Sequence, residues 1–555
     1  MTAVHPALER LLAARGVEGS YRSVFLSPGW RNLPEAESLP GIEEAAEAIL
    51  PFIAAKRRIV VFGDYDVDGI CASAIVMKTL LTLGADARVF LPERMAEGYG
   101  MSHPAIERMF RENPQVALVV TVDNGISSVE ETAYLKSRGV DVVITDHHLP
   151  GEGTPDAITV DPHLKPFEGC EDLCGAGVAY FLATALVKRA CRKGMNAPKG
   201  LSGPLLVLAG LATVADVVPL TQRNRDLVKA SLDLFDSYAP WGLKELKQRS
   251  LRAVRPLAST DYGFLLSPRI NASGRISSAM DGFDLVMSDD REKSRLLACR
   301  MDELNALRKG AEAVIEAAAR AQIGAAGEGR AAYTVFGEAW TGERWTGGEG
   351  EKRWHSGVIG IVAGRLSEEF ALPVAVVAGV HGSVRAPDGY NVRDALAAAG
   401  ELMERYGGHA LAGGFTLKPG AEKEFAALFE EICRTQAKSI VREPGKGCDL
   451  WLEPNEVDEG LWRAVSLMEP FGEGNPEPVF GVRGVTLKDV SLLGLDGKHL
   501  SCTFDGNLPR AVWWRKSAEI TRLRSIAGPV DVTFSLKMDE WGLEMSLASL
   551  EPSGL

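Results

Sequence analysis

Cysteine is scarce in this sequence, and its spacing argues against a common kind of metal site. The 555 residues include eight cysteines, and none form the CxxC pairs typical of structural zinc. The closest two, Cys170 and Cys174, are more simply interpreted as free thiols in a core. We therefore expect a protein of a reducing compartment, the cytoplasm, without structural zinc.

Long hydrophobic runs and an excess of basic charge are also lacking. The uncharged runs at 173–187 and 201–215 hold 15 residues each, fewer than the about 20 of a membrane-spanning helix. Charges within residues 1–16 interrupt any signal-peptide core. With 61 Lys and Arg against 74 Asp and Glu, the formal charge of -13 argues against a protein that coats DNA or an anionic membrane. A local basic groove remains compatible with this balance.

The composition is that of a globular protein with several domains. Hydrophobic residues make up 46% of the chain and charged residues 24%, and the length predicts three or four domains. The P-loop pattern GxxxxGK[ST] is absent, so the sequence does not support a nucleotide-driven motor.

Between residues 57 and 220, short β-branched runs alternate with helical stretches. This alternation predicts a parallel sheet covered by helices. Side chains just after the strands then converge on one edge of the sheet, where open α/β folds bind ligands. The runs are IVVF (59–62), ALVVTV (117–122), VDVVIT (140–145) and AITV (157–160).

The rest of the chain is predicted to form three further parts. Residues 288–322 lack proline, and their apolar residues recur at helical spacing. This pattern predicts a helix of on the order of 50 Å between two domains. A second α/β unit follows, with an exposed insertion at 337–353. Five short strands after residue 444 predict a small antiparallel barrel. The predicted fold class is multidomain α/β, divided at 1–285, 286–325, 326–442 and 443–555.

The motif GDYDVDG at 63–69 places three carboxylates on alternate residues directly after a strand. In a loop they can turn toward one hard cation. An EF-hand also begins DxDxDG, but it needs a preceding helix and a glutamate at its twelfth position, where this chain has Ile75. The motif therefore predicts a metal site of another kind.

Three more turns carry similar side chains, at 122–125 (VDNG), 145–148 (TDHH) and 215–219 (ADVVP). A single Asp after a strand commonly caps a helix or a turn. Together the turns bring so much negative charge to one sheet edge that it would be destabilising without a metal. The candidate ligands are Asp66, Asp68, Asp123, His147 and Asp216.

The types of ligand indicate the metal and the reaction. Carboxylates with imidazole and no thiolate suit Mn²⁺ or Mg²⁺. Four or more carboxylates can hold two ions about 3.5–4 Å apart, an arrangement that activates water and stabilises the oxygens of phosphoryl transfer. The residues therefore predict two divalent cations and phosphoester hydrolysis.

These motifs, in this order, resemble those of the DHH phosphoesterase superfamily. Further stretches resemble one family within it, the exonucleases that degrade single-stranded DNA in the 5′→3′ direction. The resemblance covers nearly the whole chain and implies a parallel-sheet DHH domain, a DHHA1-like nucleotide-binding domain and a C-terminal OB-like barrel. The stretches are LPERMAEGYG (91–100), CGAGVAY (174–180), SPRINASGRI (267–276), WHSGVIGIVAGRL (354–366), GGHALAGGF (407–415) and EPFGEGNPEP (469–478).

The resemblance also implies how the two cations are held. Asp66 holds one of them, with Asp123 as a bridge and Asp64 as a further ligand. The other is held by Asp68, Asp123, His147 and Asp216.

Two positions near these ligands have expectations of their own. Many superfamily relatives have a histidine four residues before the acidic pair, where this chain has Phe62, so the cation on the Asp66 side is expected to be held more weakly. His148 is expected to point away from His147 and to contact the scissile phosphate, since adjacent residues after a strand diverge.

Contacts with DNA follow from the same resemblance. The domain after the long helix faces the catalytic domain and recognises the 5′ end, which assigns Ser383, Arg385 and His409 to a 5′-phosphate pocket. Glycines before His409 allow close backbone approach to an anion. Arg94 and Tyr99 are assigned to the terminal nucleotide.

The stretch at 267–276 offers donors for phosphate oxygens through Arg269, Asn271 and Arg275. The alternative is a turn held by arginine–carboxylate pairs, and the resemblance favours the phosphate contact. His355 is left open between a structural and a functional role.

The barrel carries adjacent aromatic and basic residues, Trp513 to Lys516, which suit base stacking. Neighbouring strand residues face opposite sides, so at least one of Trp513 and Trp514 is expected in the core. Because the barrel region is acidic overall, we expect only a weak, local grip on DNA.

The expected function is a two-metal exonuclease that degrades single-stranded DNA to mononucleotides in DNA repair and recombination. One alternative is a phosphodiesterase of short oligonucleotides or cyclic dinucleotides, which would not need the barrel. Another is a non-catalytic single-strand-binding scaffold, which should have lost acidic ligands. The expected partners are single-stranded DNA and a helicase or single-strand-binding protein, with no membrane, and the chain is expected to be a monomer.

Overall fold

The structure of this protein is a computed structural model with three sheets connected by helices. It describes residues 5–94, 96–98, 100–151, 153–196, 200–251, 255–327, 329–342, 345, 351–440, 447–539 and 542–554.

Helices and strands follow one another along the chain in an order that separates three regions. The strands are β1 (Arg58–Phe62), β2 (Ala87–Phe90), β3 (Val116–Val122), β4 (Asp141–Thr145), β5 (Ile158–Val160), β6 (Tyr333–Gly337), β7 (Val374–Ala378), β8 (His381–Arg385), β9 (Met403–Gly408), β10 (Ala412–Leu417), β11 (Leu450–Trp451), β12 (Phe480–Leu493), β13 (His499–Phe504), β14 (Ala511–Trp513), β15 (Pro529–Asp539) and β16 (Gly542–Pro552). The helices are α1 (Pro6–Ala14), α2 (Gly19–Phe25), α3 (Ile42–Ala54), α4 (Val67–Thr82), α5 (His103–Glu112), α6 (Val129–Ser137), α7 (Gly175–Arg192), α8 (Ser202–Ala215), α9 (Gln222–Tyr238), α10 (Trp241–Ser250), α11 (Ser259–Asp261), α12 (Ser267–Ile276), α13 (Ala279–Met287), α14 (Arg291–Ala326), α15 (Ile359–Phe370), α16 (Val392–Ala398), α17 (Glu422–Ala437), α18 (Glu459–Ser466) and α19 (Ile520–Arg524).

The first sheet is fully parallel, in the order β2-β1-β3-β4-β5, as the alternating pattern predicted. The four predicted strands are present, and β2 is an additional edge strand. Sequence reasoning missed β2 because its four residues, ARVF, include a charged residue and form no apolar run. The two faces of the sheet are covered by separate apolar clusters, with Val61 in one and Phe62 in the other.

The long helix α14 connects the two α/β units, as predicted. Its 36 residues begin after Asp290, whose side chain accepts a hydrogen bond from the backbone N–H of Lys293 (2.7 Å). Glu312, buried in the middle of the helix, forms ion pairs with Arg308 and with Arg365 of α15. Since α14 also packs against α10 and α12, it fixes the spacing between the two units.

The second unit has a mixed sheet in the order β6-β7-β8-β10-β9, of which only the β6–β7 pair is parallel. The described residues of the predicted insertion at 337–353 are exposed or half-buried, except for Trp345, which is buried. Trp354, directly after the insertion, is also buried and donates its backbone N–H to the carbonyl of Glu338 (2.7 Å). The large indole groups bury apolar surface that a Gly- and Glu-rich composition does not suggest.

The C-terminal strands close into the predicted barrel, in the order β12-β13-β14-β16-β15, and β15 pairs back to β12. Adjacent strands of the barrel are antiparallel, except for the parallel pair β14–β16. Trp513 is buried and Trp514 is 48% exposed, so one tryptophan lies in the core as expected.

The N-terminal helices α1 and α2 pack on this barrel and not on the first sheet. Leu8, Leu11 and Phe25 share an apolar core with Phe480 and Phe534 of the barrel. Arg225 of α9 joins the parts, because its guanidinium donates to the carbonyls of Phe25, Glu469 and Pro470.

All eight cysteines, each of which lies in the part described, are free thiols. Within that part, no helix has both the length and the apolar character needed to traverse a bilayer.

Candidate active site

The acidic and histidine side chains meet at the carboxyl edge of the first sheet. Asp64, Asp66 and Asp68 follow β1, Asp123 follows β3 and His147 follows β4. Parallel strands end at the same edge, so these turns are neighbours although they are far apart in sequence. The fourth contribution, Asp216, comes from the C-terminal end of α8.

Two of the carboxylates are fixed by helix N-termini. Asp66 caps α4, and its Oδ1 accepts the backbone N–H groups of Asp68 (3.0 Å) and Gly69 (3.1 Å). The carboxylate of Asp68 accepts two N–H groups at the start of α7, from Gly175 (2.7 Å) and Ala176 (2.8 Å). Exposed N–H groups and the helix dipole favour negative charge at such a position.

Asp123 adopts a left-handed backbone conformation with φ of +63°. Its N–H donates to the carbonyl of Thr145 (3.1 Å), which ties this turn to β4. Gly175 lies so close that a Cβ there would be 2.6 Å from the Cβ of Asp123. A side chain at position 175 is therefore incompatible with this position of the Asp123 carboxylate.

His147 lies at the centre of the cluster. Its Nε2 is 3.1 Å from Asp123 Oδ1 and 3.6 Å from both Asp68 Oδ2 and Asp216 Oδ2. Burial and the neighbouring charge of His148 lower the pKa of His147 to about 3. The imidazole is therefore neutral, which is the form that ligates metals.

The surrounding carboxylates have the opposite pKa shifts. Burial, together with the charges of Asp68 and Asp66, raises the pKa of Asp216 to about 9. Burial and Asp66 raise the pKa of Asp68 to about 6, and burial holds the pKa of Asp64 well above its usual range. Such shifts arise because the carboxylates are buried close to one another, and bound cations would favour their ionised forms.

The donor atoms fit divalent cations. Within the described residues, Asp64 Oδ1 and His147 Nε2 are buried and have no hydrogen-bond partner, as expected of atoms that face an ion. The ligand atoms form groups whose members lie within 4.8 Å of one another, and all of them are oxygen or imidazole nitrogen. The groups are Asp64, Asp66 and Asp123; Asp68, His147 and Asp216; and Asp123, His147 and His148.

We expect the stabilising effect of Mn²⁺ to increase with pH. The raised pKa values of Asp68 and Asp216 mean that the metal-free folded protein holds protons that the unfolded chain has released. Protonation of Asp68 and Asp216 stabilises the folded protein relative to the unfolded chain. This stabilisation is complete below the unfolded carboxyl pKa of about 4, and it is lost as pH rises through the folded pKa values of about 6 and about 9. Bound cations replace the protons.

Thermal denaturation between pH 5.5 and 9, in EDTA and in Mn²⁺, measures this effect. The Tm of the metal-free protein should fall across the interval, and the Tm increase caused by Mn²⁺ should grow. Asp216→Asn should reduce the part of the fall at higher pH. An increase in Tm that is independent of pH would contradict the coupling.

Asp146 is a site residue that sequence reasoning did not single out. Its Oδ1 accepts hydrogen bonds from His148 Nδ1 (2.8 Å) and the backbone N–H of His147 (2.7 Å), and its Oδ2 accepts that of Ile126 (2.9 Å). Although burial lowers it, the hydrogen bond to Asp146 raises the pKa of His148 to about 9. His148 is thus a fixed cation beside the ligands. An acidic residue directly before two histidines was the available signal.

The two histidine rings do not diverge as expected. Their centroids are 4.4 Å apart, because Asp146 holds the ring of His148 beside that of His147. Phe62, four residues before Asp66, is fully buried against Phe90, with ring centroids 4.9 Å apart. It supplies no ligand.

The residues of α12 have different surroundings. Arg269 forms an ion pair with Asp302 of α14 (2.7 Å), the arrangement of the alternative interpretation. Asn271 accepts the backbone N–H of Val67 (3.1 Å) through Oδ1 and so braces the start of α4. Arg275 is half-buried and donates to the carbonyl of Gly357 (3.2 Å), across the boundary between the two α/β units. Contacts of these residues with DNA stay a prediction.

A cavity of about 400 Å³ lies between the two α/β units, and its lining includes Tyr65, the residue between the candidate ligands Asp64 and Asp66. Arg94, whose guanidinium lies 4.8 Å from the centre of the Tyr65 ring, lines it from the first unit. Ser383 lines it from β8, and Arg385 donates to Ser383 Oγ (3.0 Å). We call this space the interdomain cavity.

Of the predicted DNA contacts that the structure describes, Arg94 and Ser383 line the interdomain cavity, whereas Arg269, Asn271, Arg275, Arg385 and His409 do not. His409 lies in the turn between β9 and β10 and is not part of the lining. Tyr99 lies outside the described residues. The sequence did not suggest His381 and Arg405, which do line it. Their signal is the alternation of polar side chains along β8 and β9.

His355 has contacts that fit a structural role. It is buried, and its ring stacks on Trp340 with centroids 5.2 Å apart. Its Nδ1 accepts the backbone N–H of Gly357 (3.1 Å). The side chain thus shapes the turn that leads into α15.

The sheet edge, the ligand set and the adjoining α/β unit define a protein of the DHH class. Three family models match the chain in the same order: the DHH family, N-terminal domain, at 58–210, the DHHA1 domain at 332–435 and the RecJ OB domain at 448–548.

The chain belongs to the RecJ family. It is 34% identical to the single-stranded-DNA-specific exonuclease RecJ of Salmonella typhimurium, over 86% of this chain and 83% of that protein. It is 34% identical to the protein of that name from Thermus thermophilus, over 90% of this chain and 68% of the relative. For the Bacillus subtilis relative the identity is 30%, and the chain spans 61% of its length.

Solved structures agree with this assignment. The crystal structure of RecJ in complex with Mn²⁺ from Thermus thermophilus superposes with a TM-score of 0.82 at 31% identity and covers all of this chain and 76% of that one. A structure of exonuclease RecJ bound to manganese has a TM-score of 0.62 at 33% identity, over 74% of this chain and 98% of that chain. The predicted architecture of DHH, DHHA1 and OB domains is therefore confirmed.

Proposed function

We propose that this chain is a metal-dependent exonuclease that degrades single-stranded DNA in the 5′→3′ direction to mononucleotides, in DNA repair and recombination. The observation that carries the proposal is that the ligand cluster and an arginine-lined cavity lie side by side between the two α/β units. A cavity for the terminal phosphate next to a hydrolytic centre suits removal of one nucleotide at a time. The relatives named above are exonucleases specific for single-stranded DNA.

Two divalent cations, Mn²⁺ or Mg²⁺, would be held by six side chains. When bound, such ions lower the pKa of water and neutralise charge on the phosphate. On one side the ligands would be Asp64 and Asp66, with Asp123 shared between the ions. On the other they would be Asp68, His147 and Asp216. Because Phe62 offers no ligand, we propose that the Asp66 side binds its ion more weakly.

The protein's own groups then position the phosphate. The imidazolium of His148, oriented by Asp146, can donate a hydrogen bond to a non-bridging phosphate oxygen. Burial lowers the pKa of Arg275 to about 9, so it stays charged at neutral pH and attracts the backbone phosphate. Arg94 and Ser383 reach the 5′ end from opposite walls of the interdomain cavity.

Contact between the two units supports the preference for a single strand. Arg275 donates to Gly357, and a Cβ on Gly357 would lie 2.4 Å from the Arg275 carbonyl oxygen. The units therefore touch beside the site and close it on that side. We propose that the remaining passage is too narrow for a duplex.

The barrel extends the DNA path. Trp514 is half-exposed and packs edge-on against His499 at 4.8 Å, and Arg483 lies over the ring of Trp451. Such aromatic and basic pairs suit weak stacking of bases. We also propose that the protein is a cytoplasmic monomer that works with a helicase or a single-strand-binding protein.

Three labelled substrates test the proposal. With Mn²⁺, a 5′-phosphorylated single strand should be degraded to mononucleotides at least ten times faster than a blunt duplex of the same sequence and faster than a dinucleotide. Label at the 5′ end should appear first as a mononucleotide, and EDTA should abolish release. Equal rates on duplex and single strand, or cleavage of the dinucleotide alone, would contradict the proposal.

A further inference from the structure

The interdomain cavity is larger and more cationic than one phosphate requires. Its volume is about 400 Å³, and it is lined by Arg94, His381 and Arg405, with Arg385 beneath Ser383. In the part of the chain that the structure describes, none of the three arginines has a carboxylate oxygen within salt-bridge distance, although the protein carries a formal charge of -13. Charges left unpaired in a cleft indicate an anionic ligand.

The cationic groups form two rows across the second sheet. In the inner row Arg385 donates to Ser383 Oγ. In the outer row Thr416 pairs with His381 on β8 and with Arg405 on β9. Thr416 Oγ1 accepts the Nε–H of Arg405 (3.2 Å) and lies 3.3 Å from His381 Nδ1.

The distance between the rows exceeds the width of a single phosphate group. Ser383 and His381 are two residues apart on one strand, so their side chains share a face and are separated by about 6.6 Å along it. Thr416 and Gly414 have the same relation on β10. The outer row is thus a separate anion position on the same surface.

Glycines keep the surface between the rows open. Gly414 pairs with Ser383 and with Gly407. A Cβ on Gly407 would meet nothing within 4 Å, and one on Gly414 would meet only a carbonyl oxygen 4.0 Å away. Packing therefore does not require glycine at either position, whereas a ligand that lies against the strands does.

We propose that the interdomain cavity accepts strands whose 5′ end carries a triphosphate, with one terminal phosphate at Ser383 and Arg385 and another at His381, Thr416 and Arg405. This inference rests on the proposed function, since the strand end must reach the cavity. Arg94 contacts the phosphate chain from the opposite wall. Burial of Arg385 and the nearby charge of Arg94 lower the pKa of Arg385, as expected where two cationic side chains face the same anion position.

The selectivity for the 5′ end tests the inference. Single strands of one sequence with a 5′-monophosphate or a 5′-triphosphate are compared by kcat/KM. The wild-type ratio of triphosphate to monophosphate should be at least one. In Arg405→Gln the ratio should fall about tenfold, because one charge-assisted contact is lost. Arg393→Gln, on α16 against the opposite face of the sheet, is the matched control and should keep the wild-type ratio.

A binding measurement separates failure of this inference from failure of the proposed function. Calorimetry with the EDTA-treated protein should show that inorganic tripolyphosphate binds at least ten times more tightly than orthophosphate, and that Arg405→Gln removes most of the difference. If no strand is cut but this difference is found, the cavity assignment stands and the nuclease proposal fails. Equal affinities, or the same 5′-end ratio in wild type and Arg405→Gln, would overturn the inference. Inhibition by ATP at or below the strand's KM would assign the cavity to free nucleotides and overturn the strand-end assignment.

Discussion

Asp123→Asn is expected to lower kcat/KM on single-stranded DNA by roughly three orders of magnitude, since loss of an ion removes several kcal/mol of charge stabilisation. Asp123 shares one ligand group with Asp64 and Asp66, and its Oδ1 lies 3.1 Å from Nε2 of His147, a ligand of the other, so an uncharged amide weakens both cation positions. Asparagine tolerates the left-handed φ of +63° at this turn. The backbone should therefore be retained.

Stability measurements distinguish this loss from unfolding. Burial and the charges of Asp68, Asp66 and Asp216 hold the pKa of Asp123 well above its usual range. Removing its carboxylate relieves part of that repulsion, so the metal-free variant should melt no lower than the wild type. Its Tm should respond little to Mn²⁺. Asp233→Asn, on the exposed face of α9, is the matched control. Wild-type activity together with a wild-type Mn²⁺ response would remove Asp123 from the site.

Gly175→Ala is expected to reduce activity by roughly two orders of magnitude, because a displacement of about 1 Å in a catalytic group has an effect of this size. The new methyl would lie 2.6 Å from Asp123 Cβ and 2.7 Å from its Oδ1. Relief requires the turn or the start of α7 to move. Either movement alters Asp68, which accepts the N–H groups of Gly175 and Ala176.

Mn²⁺ titration followed by Tm should show weaker binding in this variant, while far-UV circular dichroism should be unchanged. The cost in stability should be about 1–3 kcal/mol. Gly310→Ala in α14 is the control for a glycine in a helix, because a Cβ there would meet nothing within 4 Å. It should add up to about 1 kcal/mol of stability and leave activity unchanged. If both variants behave alike, close approach of Gly175 has no role in the site.

The position of the candidate ligands could be predicted because it depends on a local rule. Asp66, Asp123 and His147 each follow a β-branched run, and parallel strands bring such turns to one edge. Asp216 does not follow this rule, since it ends a helix; the acidic turn at 215–219 made it a candidate ligand, and the resemblance assigned it to one of the cations. The long helix α14 was predictable for the same local reason, from composition and spacing.

Contacts between distant segments were not predictable in this way. Glycine at position 175 is explained by its contact with Asp123, which depends on how α7 packs against the sheet edge. Phe25 packs in the core of the barrel, and its carbonyl accepts a hydrogen bond from Arg225 of α9. Both contacts join segments that are distant in the sequence. Arg405 and His381 become neighbours only through the register of β8, β10 and β9.

The amino-acid order alone determined the alternating architecture, the acidic turns and the chemistry of their ligands, since periodicity and residue type are properties of short segments. Tertiary structure decided which carboxylates are buried, which arginines lack an acidic partner and which glycines leave space. These properties arise when separate segments pack, because pKa values and open volume depend on every neighbour and not on the local sequence.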